Sequence, residues 1–124
     1  MDLTIEFKNH AFTINALLNL TETAKSFVDI LPINSPINLW GEEIYFPVDL
    51  YLDNELPQET VDIGDIAYWP PGNAFCIFFG ETPASVDGNI KPASAVTVIG
   101  KLESDPEVLK RVKSGENIII RRDK

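Results

Sequence analysis

At 124 residues the chain has the size of one domain, taken here as residues 1–124, and is long enough to bury a core without disulfides or metal. Nineteen acidic against 10 basic residues give a net charge of -9, and no Lys or Arg stands between Lys25 and Lys91, so nucleic acid and anionic membranes are not expected as partners. The only basic cluster, Lys110 to Lys124, is itself interleaved with Glu116 and Asp123.

The opening stretch alternates Leu3, Ile5 and Phe7 with Thr4, Glu6 and Lys8, and after Asn9-His10 the alternation resumes at Phe12, Ile14 and Ala16, the pattern of a β-hairpin with a tight turn. It lacks the basic start and apolar centre of an export signal, and no apolar run approaches the ~20 residues of a membrane span; a cytoplasmic location is the expectation. Asn19 stands three before Glu22, a reciprocal capping pattern, and Ala24, Phe27, Val28 and Leu31 follow at helical spacing until Pro32, so a helix is predicted over 20–31. Ile33 to Pro36 reads as loop. Ile37 to Trp40 and Glu42 to Phe46 read as two strand segments bent at Gly41, and Val48, Leu50 and Leu52 alternate as a further half-buried strand.

The stretch from Ile63 to Pro83 is the densest in the chain, with five of the 12 aromatic residues and the single cysteine, Cys76. Gly64 is the predicted turn into a strand Asp65 to Trp69, Pro70-Pro71 ends ladder pairing by removing two backbone donors, and Gly72 lets the chain turn into Phe75 to Phe79. That run is too continuous to alternate, and burial on both faces is predicted. Gly80 to Pro92 reads as a long loop, and Ala95 to Leu102 as a strand with Gly100 at a bulge or close approach. A second helix is signalled by Asp105 as N-cap, Pro106, Glu107, the basic residues Lys110, Arg111 and Lys113, and Gly115 beyond; Asn117 to Arg122 closes the chain as a strand. The total is about eight strands and two helices without βαβ alternation, which fits a mostly β, closed antiparallel barrel.

Several of these segments resemble a known family. Val98-Ile99-Gly100-Lys101-Leu102 followed by Val108-Leu109-Lys110-Arg111-Val112 is similar to the closing strand and helix of the cyclophilin barrel, and Thr21 to Phe27 is similar to its first helix. Trp40-Gly41-Glu42-Glu43-Ile44-Tyr45-Phe46, Gly64-Asp65-Ile66-Ala67-Tyr68-Trp69-Pro70-Pro71-Gly72, Cys76 with Phe78-Phe79-Gly80, and Pro92-Ala93-Ser94-Ala95-Val96 resemble the small stand-alone prokaryotic cyclophilin-like proteins, a family to which no function is assigned. The resemblance covers nearly the whole chain and implies a cyclophilin-like closed barrel of about eight strands with two helices.

It does not carry over the isomerase chemistry. Prolyl isomerases of the cyclophilin type polarise the substrate with an arginine on a central strand, and no arginine precedes Arg111 here. Aligning Gly72-Asn73-Ala74-Phe75-Cys76 with the isomerase Gly-Ser-Gln-Phe-Phe puts Ala74 on the catalytic glutamine and Cys76 on the pocket phenylalanine, and Val96 stands where the histidine would be. Loss of a preorganised cationic donor removes transition-state stabilisation. No catalytic residue, metal ligand or cofactor is assigned: His10 is a turn residue, one His and one Cys make no spaced ligand set, and Cys76 is a buried structural cysteine. The expected site is an aromatic groove drawn from Trp40, Glu42, Tyr45, Tyr68, Trp69, Cys76, Phe78 and Thr82, taking a small molecule or peptide. Glu42 or Glu43 is available to meet a ligand amine or act as a base, since adjacent strand residues point to opposite faces. The alternatives are an isomerase or other enzyme with a divergent site, or an accessory module with a protein partner, as cyclophilin-like domains are in 5-oxoprolinase-type assemblies.

Overall fold

The computed structural model describes residues 1–123; Lys124, the last residue of the basic C-terminal cluster, lies outside them. Nine strands form a single antiparallel sheet: β1 (Asp2–Phe7), β2 (Phe12–Leu18), β3 (Ile33–Pro36), β4 (Asn38–Leu39), β5 (Glu43–Pro47), β6 (Asp65–Trp69), β7 (Ala74–Phe78), β8 (Thr97–Leu102) and β9 (Asn117–Arg122). Their spatial order is β3-β9-β1-β2-β8-β6-β7-β5-β4. The two end strands, β3 and β4, are separated only by Ile37, so one short segment pairs with β9 on one side and β5 on the other and draws the sheet into a nearly closed barrel.

The segment Ile33 to Pro36, read from its Pro and Asn content as loop, is therefore a strand; it sits at the sheet edge, where a proline without an N–H is tolerated. Conversely Val48 to Leu52 is not a strand. Its backbone is held by other partners: the Val48 N–H donates to the Asn73 carbonyl, the Tyr68 hydroxyl donates to the Leu50 carbonyl at 2.8 Å, and the Leu52 N–H donates to that hydroxyl at 3.1 Å.

The one α-helix, α1 (Glu22–Asp29), begins later than predicted because Thr21 is its N-cap, its hydroxyl accepting from the Ala24 N–H. Asn19 supports Thr21 instead, and the first-turn N–H groups of Glu22 and Thr23 donate to Glu55 from the facing loop. Those donors, Thr23's first, hold the Glu55 carboxyl below its ordinary range. Ala24 and Phe27 face the barrel interior. The second predicted helix is a 3-10 helix, Pro106–Arg111, capped by Asp105 as expected. Leu109 is its inward residue, and Val112, just past its end, is buried as well. Gly115 does not cap it; with a φ of 92° it turns the chain into β9. Among the described residues no helix is long and apolar enough to cross a membrane.

β7 is buried along its whole length, as its composition predicts. Phe75 and Ile77 point into the main core, whereas Ala74, Cys76 and Phe78 belong to a second apolar cluster on the outside of the sheet with Val61, Ile90 and Val96. The long segments between β5 and β6 and between β7 and β8 cover this outer cluster. The barrel thus has an inner core and an outer one, and the outer one contains the cleft described below.

Gly100 fulfils both expectations. The pairing of β6 with β8 slips between Ile66 opposite Gly100 and Ala67 opposite Val98, a bulge, and on the other edge a Cβ at Gly100 would fall 2.5 Å from the Leu17 carbonyl oxygen. Backbone cannot yield as a side-chain tip can. Gly100→Ala is expected to destabilise the protein by roughly 1–3 kcal/mol, the usual cost of overpacking, read as a lower urea midpoint. An unchanged midpoint would show that β2 and β8 part without penalty.

Candidate functional site

β4 and β5 form a hairpin turned by Gly41 and Glu42, with Trp40 and Glu43 exchanging backbone hydrogen bonds at 2.9 and 3.2 Å. Gly41 supplies the left-handed backbone at a φ of 58°. Residues directly opposite in a hairpin share a face, and so do residues two apart on one strand. Trp40, Glu43 and Tyr45 consequently project together onto the outside of the barrel, while Ile44 and Phe46 enter the main core.

Across the sheet, Trp69 on β6 projects to the same side. Its indole N–H donates to the Ser94 hydroxyl at 2.8 Å, and its six-membered ring lies over Gly72, where a Cβ would fall 2.6 Å from it. Gly72 is therefore required for room; the left-handed turn residue is Asn73, with a φ of 48°. Between β5 and β6, β7 presents only the small side chains Ala74 and Cys76 beside Tyr45 and Trp69. Large walls and a small centre leave a cleft of about 210 Å³ lined by Trp40, Glu43, Tyr45, Trp69, Pro92 and Ala93.

Glu43 is the chemically distinctive wall. It is only 6% exposed, and among the described residues its carboxylate has no salt bridge and no N–H or O–H hydrogen-bonded to it. Burial raises its pKa from the ordinary 4.5 to about 7, partly offset by the neighbouring Cys76 thiol. Burial, and then the Glu43 carboxylate, push the Cys76 thiol well up, so Cys76 stays protonated at neutral pH; its sulfur also lies 3.8 Å from the Ala74 carbonyl oxygen.

Of the residues expected in the groove, Trp40, Tyr45 and Trp69 come together in the cleft, with Cys76 buried behind it. Glu42 does not join them. It occupies the hairpin turn, faces Lys110 at 3.9 Å and packs over Gly80. Tyr68, expected in the groove, is instead 1% exposed in the main core, because neighbours on a strand alternate and Trp69 takes the outer face. Phe78 is buried in the outer cluster. Thr82 secures the loop after β7: its hydroxyl donates to the Lys91 carbonyl and its N–H to the Ser85 hydroxyl. Glu43, Pro92 and Ala93 complete the lining. With Ile44 and Phe46 in the main core, Glu43 and Tyr45 face outward.

His10 is a turn residue, as expected, and meets Glu116 at 2.8 Å, tying the first hairpin to the start of β9. The Lys113 N–H, ahead of His10, keeps the Glu116 carboxyl below its ordinary range. Among the described residues no three of His, Cys, Asp and Glu gather so as to hold a metal ion.

Comparison with known proteins agrees with the architecture. The family model described as Cyclophilin-like matches residues 1–121. The solution structure of the hypothetical protein AF2241 from Archaeoglobus fulgidus is 42% identical, with a TM-score of 0.80, over 98% of this chain and 94% of that one. The structure of McbB in complex with tryptophan shares the fold at 16% identity and a TM-score of 0.74; it matches 98% of this chain, which spans 44% of McbB. No curated protein matches. On the family match and the AF2241 likeness together, the chain belongs to the cyclophilin-like family.

Proposed function

We propose that the protein binds a small molecule, or one side chain of a peptide, in the cleft between Trp40, Tyr45 and Trp69. The observation that carries this reading is a wall fixed before any ligand arrives: Trp69 is held by Ser94 and by Gly72, so its face stands ready at little ordering cost. A volume of about 210 Å³ is below that of most drug-sized sites and suits a single ring system with a short arm. Tryptophan is a ligand of McbB; the reading here rests on the cleft of this chain.

Prolyl isomerisation is not part of the proposal. Arg111 lies over the Phe12 ring and Arg121 pairs with Glu6, both engaged away from the cleft, and Ala74 occupies the β7 position beside Trp69. Binding of 2-phenylethanol, a neutral phenyl probe, tests the proposal through amide and indole N–H shifts of the labelled protein. Saturable shifts centred on Trp40, Tyr45 and Trp69 are expected. Trp69→Ala should weaken them about tenfold, the worth of an aromatic contact of about 1 kcal/mol with its share of burial. Shifts that never saturate, or that centre elsewhere, would refute the proposal.

A further inference from the structure

We infer that the cleft selects ligands that bring a protonated nitrogen to the Glu43 carboxylate while an aromatic ring lies among Trp40, Tyr45 and Trp69: an arylalkyl amine, free or as the N-terminus of a peptide. The inference deepens the binding proposal above and rests on it. Three observations support the amine. A buried carboxylate without a cationic partner is costly in the ionised form, and a ligand ammonium at the cleft supplies the missing charge and donors. The three aromatic residues of the lining, Trp40, Tyr45 and Trp69, can attract a cation in addition. Among the described residues no basic side chain lines the cleft, so no side-chain cation there favours an anionic ligand.

The surrounding charges leave Glu43 free for this role. Its neighbour in the hairpin turn, Glu42, faces Lys110, and on β6 Asp65 pairs with Lys101 at 3.5 Å. Lys91 and Glu59 border a separate hollow beyond Pro92 and Ala93. The titratable neighbours on β5 and β7 are Tyr45 and Cys76, and the Cys76 thiol stays protonated through neutral pH. Glu43 therefore titrates without a fixed counter-charge, near pH 7 in the free protein. An ammonium ligand binds the ionised form, so binding below that point takes up the cost of removing a proton, and affinity falls about tenfold per pH unit.

The test uses the full chain and four probes with one ring: phenethylamine, 2-phenylethanol, phenylacetate and the peptide Phe-Gly-Gly amide. At about pH 8.5 phenethylamine is expected to bind at least tenfold more tightly than 2-phenylethanol, with phenylacetate weaker than both. At about pH 5.5 that advantage should disappear while 2-phenylethanol is unchanged. Glu43→Gln should abolish the amine preference at both pH values and keep the alcohol, whereas Glu42→Gln should keep the preference. Tighter binding of the peptide than of phenethylamine would assign the amine to a chain terminus, and the reverse to a free metabolite. Binding of 2-phenylethanol with no gain for the amine, or a gain that ignores pH between these values, would overturn the inference and leave the cleft as a neutral site. Failure of every probe to bind would overturn both.

Discussion

Phe75→Ala is expected to cost roughly 3–5 kcal/mol of folding stability, the range for truncating a buried phenylalanine. Phe75 is 1% exposed at the middle of the barrel, stacked on Phe27 of α1 with ring centroids 4.9 Å apart and tilted against Phe46 of β5 at 5.4 Å. It is the side chain through which β7 holds both the helix and the neighbouring strand. Its loss removes transfer free energy, two aromatic contacts and the support beneath α1, whose eight residues are too few to be stable alone. For a protein of typical stability, about 5–15 kcal/mol, this consumes a large share. Urea denaturation followed by tryptophan fluorescence measures it as a lower midpoint at unchanged slope. Phe75→Leu should cost clearly less, because the methyl groups refill part of the space. A loss below about 1 kcal/mol for the alanine variant would show that α1 docks without Phe75.

That this one strand would be buried on both faces was legible in Phe75-Cys76-Ile77-Phe78-Phe79, since no polar residue interrupts it. The barrel class followed from such runs together with Leu3 to Ala16, whose side-chain period is two, and the closing strand Asn117 to Arg122. What the residues do not encode locally is long-range satisfaction of the backbone. Val48 to Leu52 alternates like a strand, yet its polar groups go to the Tyr68 hydroxyl and the Asn73 carbonyl, partners distant in sequence. Ile33 to Pro36 has loop composition and becomes a strand because β9 needs a neighbour on that edge.

The site was half legible for the same reason. Trp40, Tyr45 and Trp69 were visible as amphipathic aromatics, but choosing between Glu42 and Glu43 required the hairpin. Reading Gly41 as a bend in one strand left the parity of both glutamates open; a two-residue turn at Gly41-Glu42 fixes it and sends Glu43 to the cleft. Tyr68 shows the converse error: it was placed in the groove with Trp69, while its hydroxyl was needed inside to hold the loop after β5.

Glu43→Gln is expected to stabilise the protein at alkaline pH while removing the preference of the cleft for amines. Burial raises the folded-state pKa of Glu43 from 4.5 to about 7. Below about pH 4.5 the carboxyl is protonated in both folded and unfolded chains, and Glu43 carries no pH-dependent cost. Between about 4.5 and 7 the folded chain binds more protons than the unfolded one, so the Glu43 contribution to stability falls as pH rises. Above about 7 both states are ionised and the full cost stands, about 3 kcal/mol at 1.36 kcal/mol per pKa unit. Glutamine has nearly the same shape and never ionises. The variant and the natural protein should therefore unfold at similar urea concentrations near pH 4, with the variant ahead by about 2–3 kcal/mol near pH 8.5. Taking the difference between the two curves cancels the other carboxylates, including Glu55 and Glu116, whose lowered pKa values act in the opposite sense at acid pH. A difference that is flat with pH would mean that Glu43 titrates as an ordinary exposed carboxyl, and the cleft would then hold no stored electrostatic cost for a cationic ligand to relieve. A difference that grows across this window would identify Glu43 as a residue kept at the expense of stability, and phenethylamine should recover part of that loss in the natural protein alone.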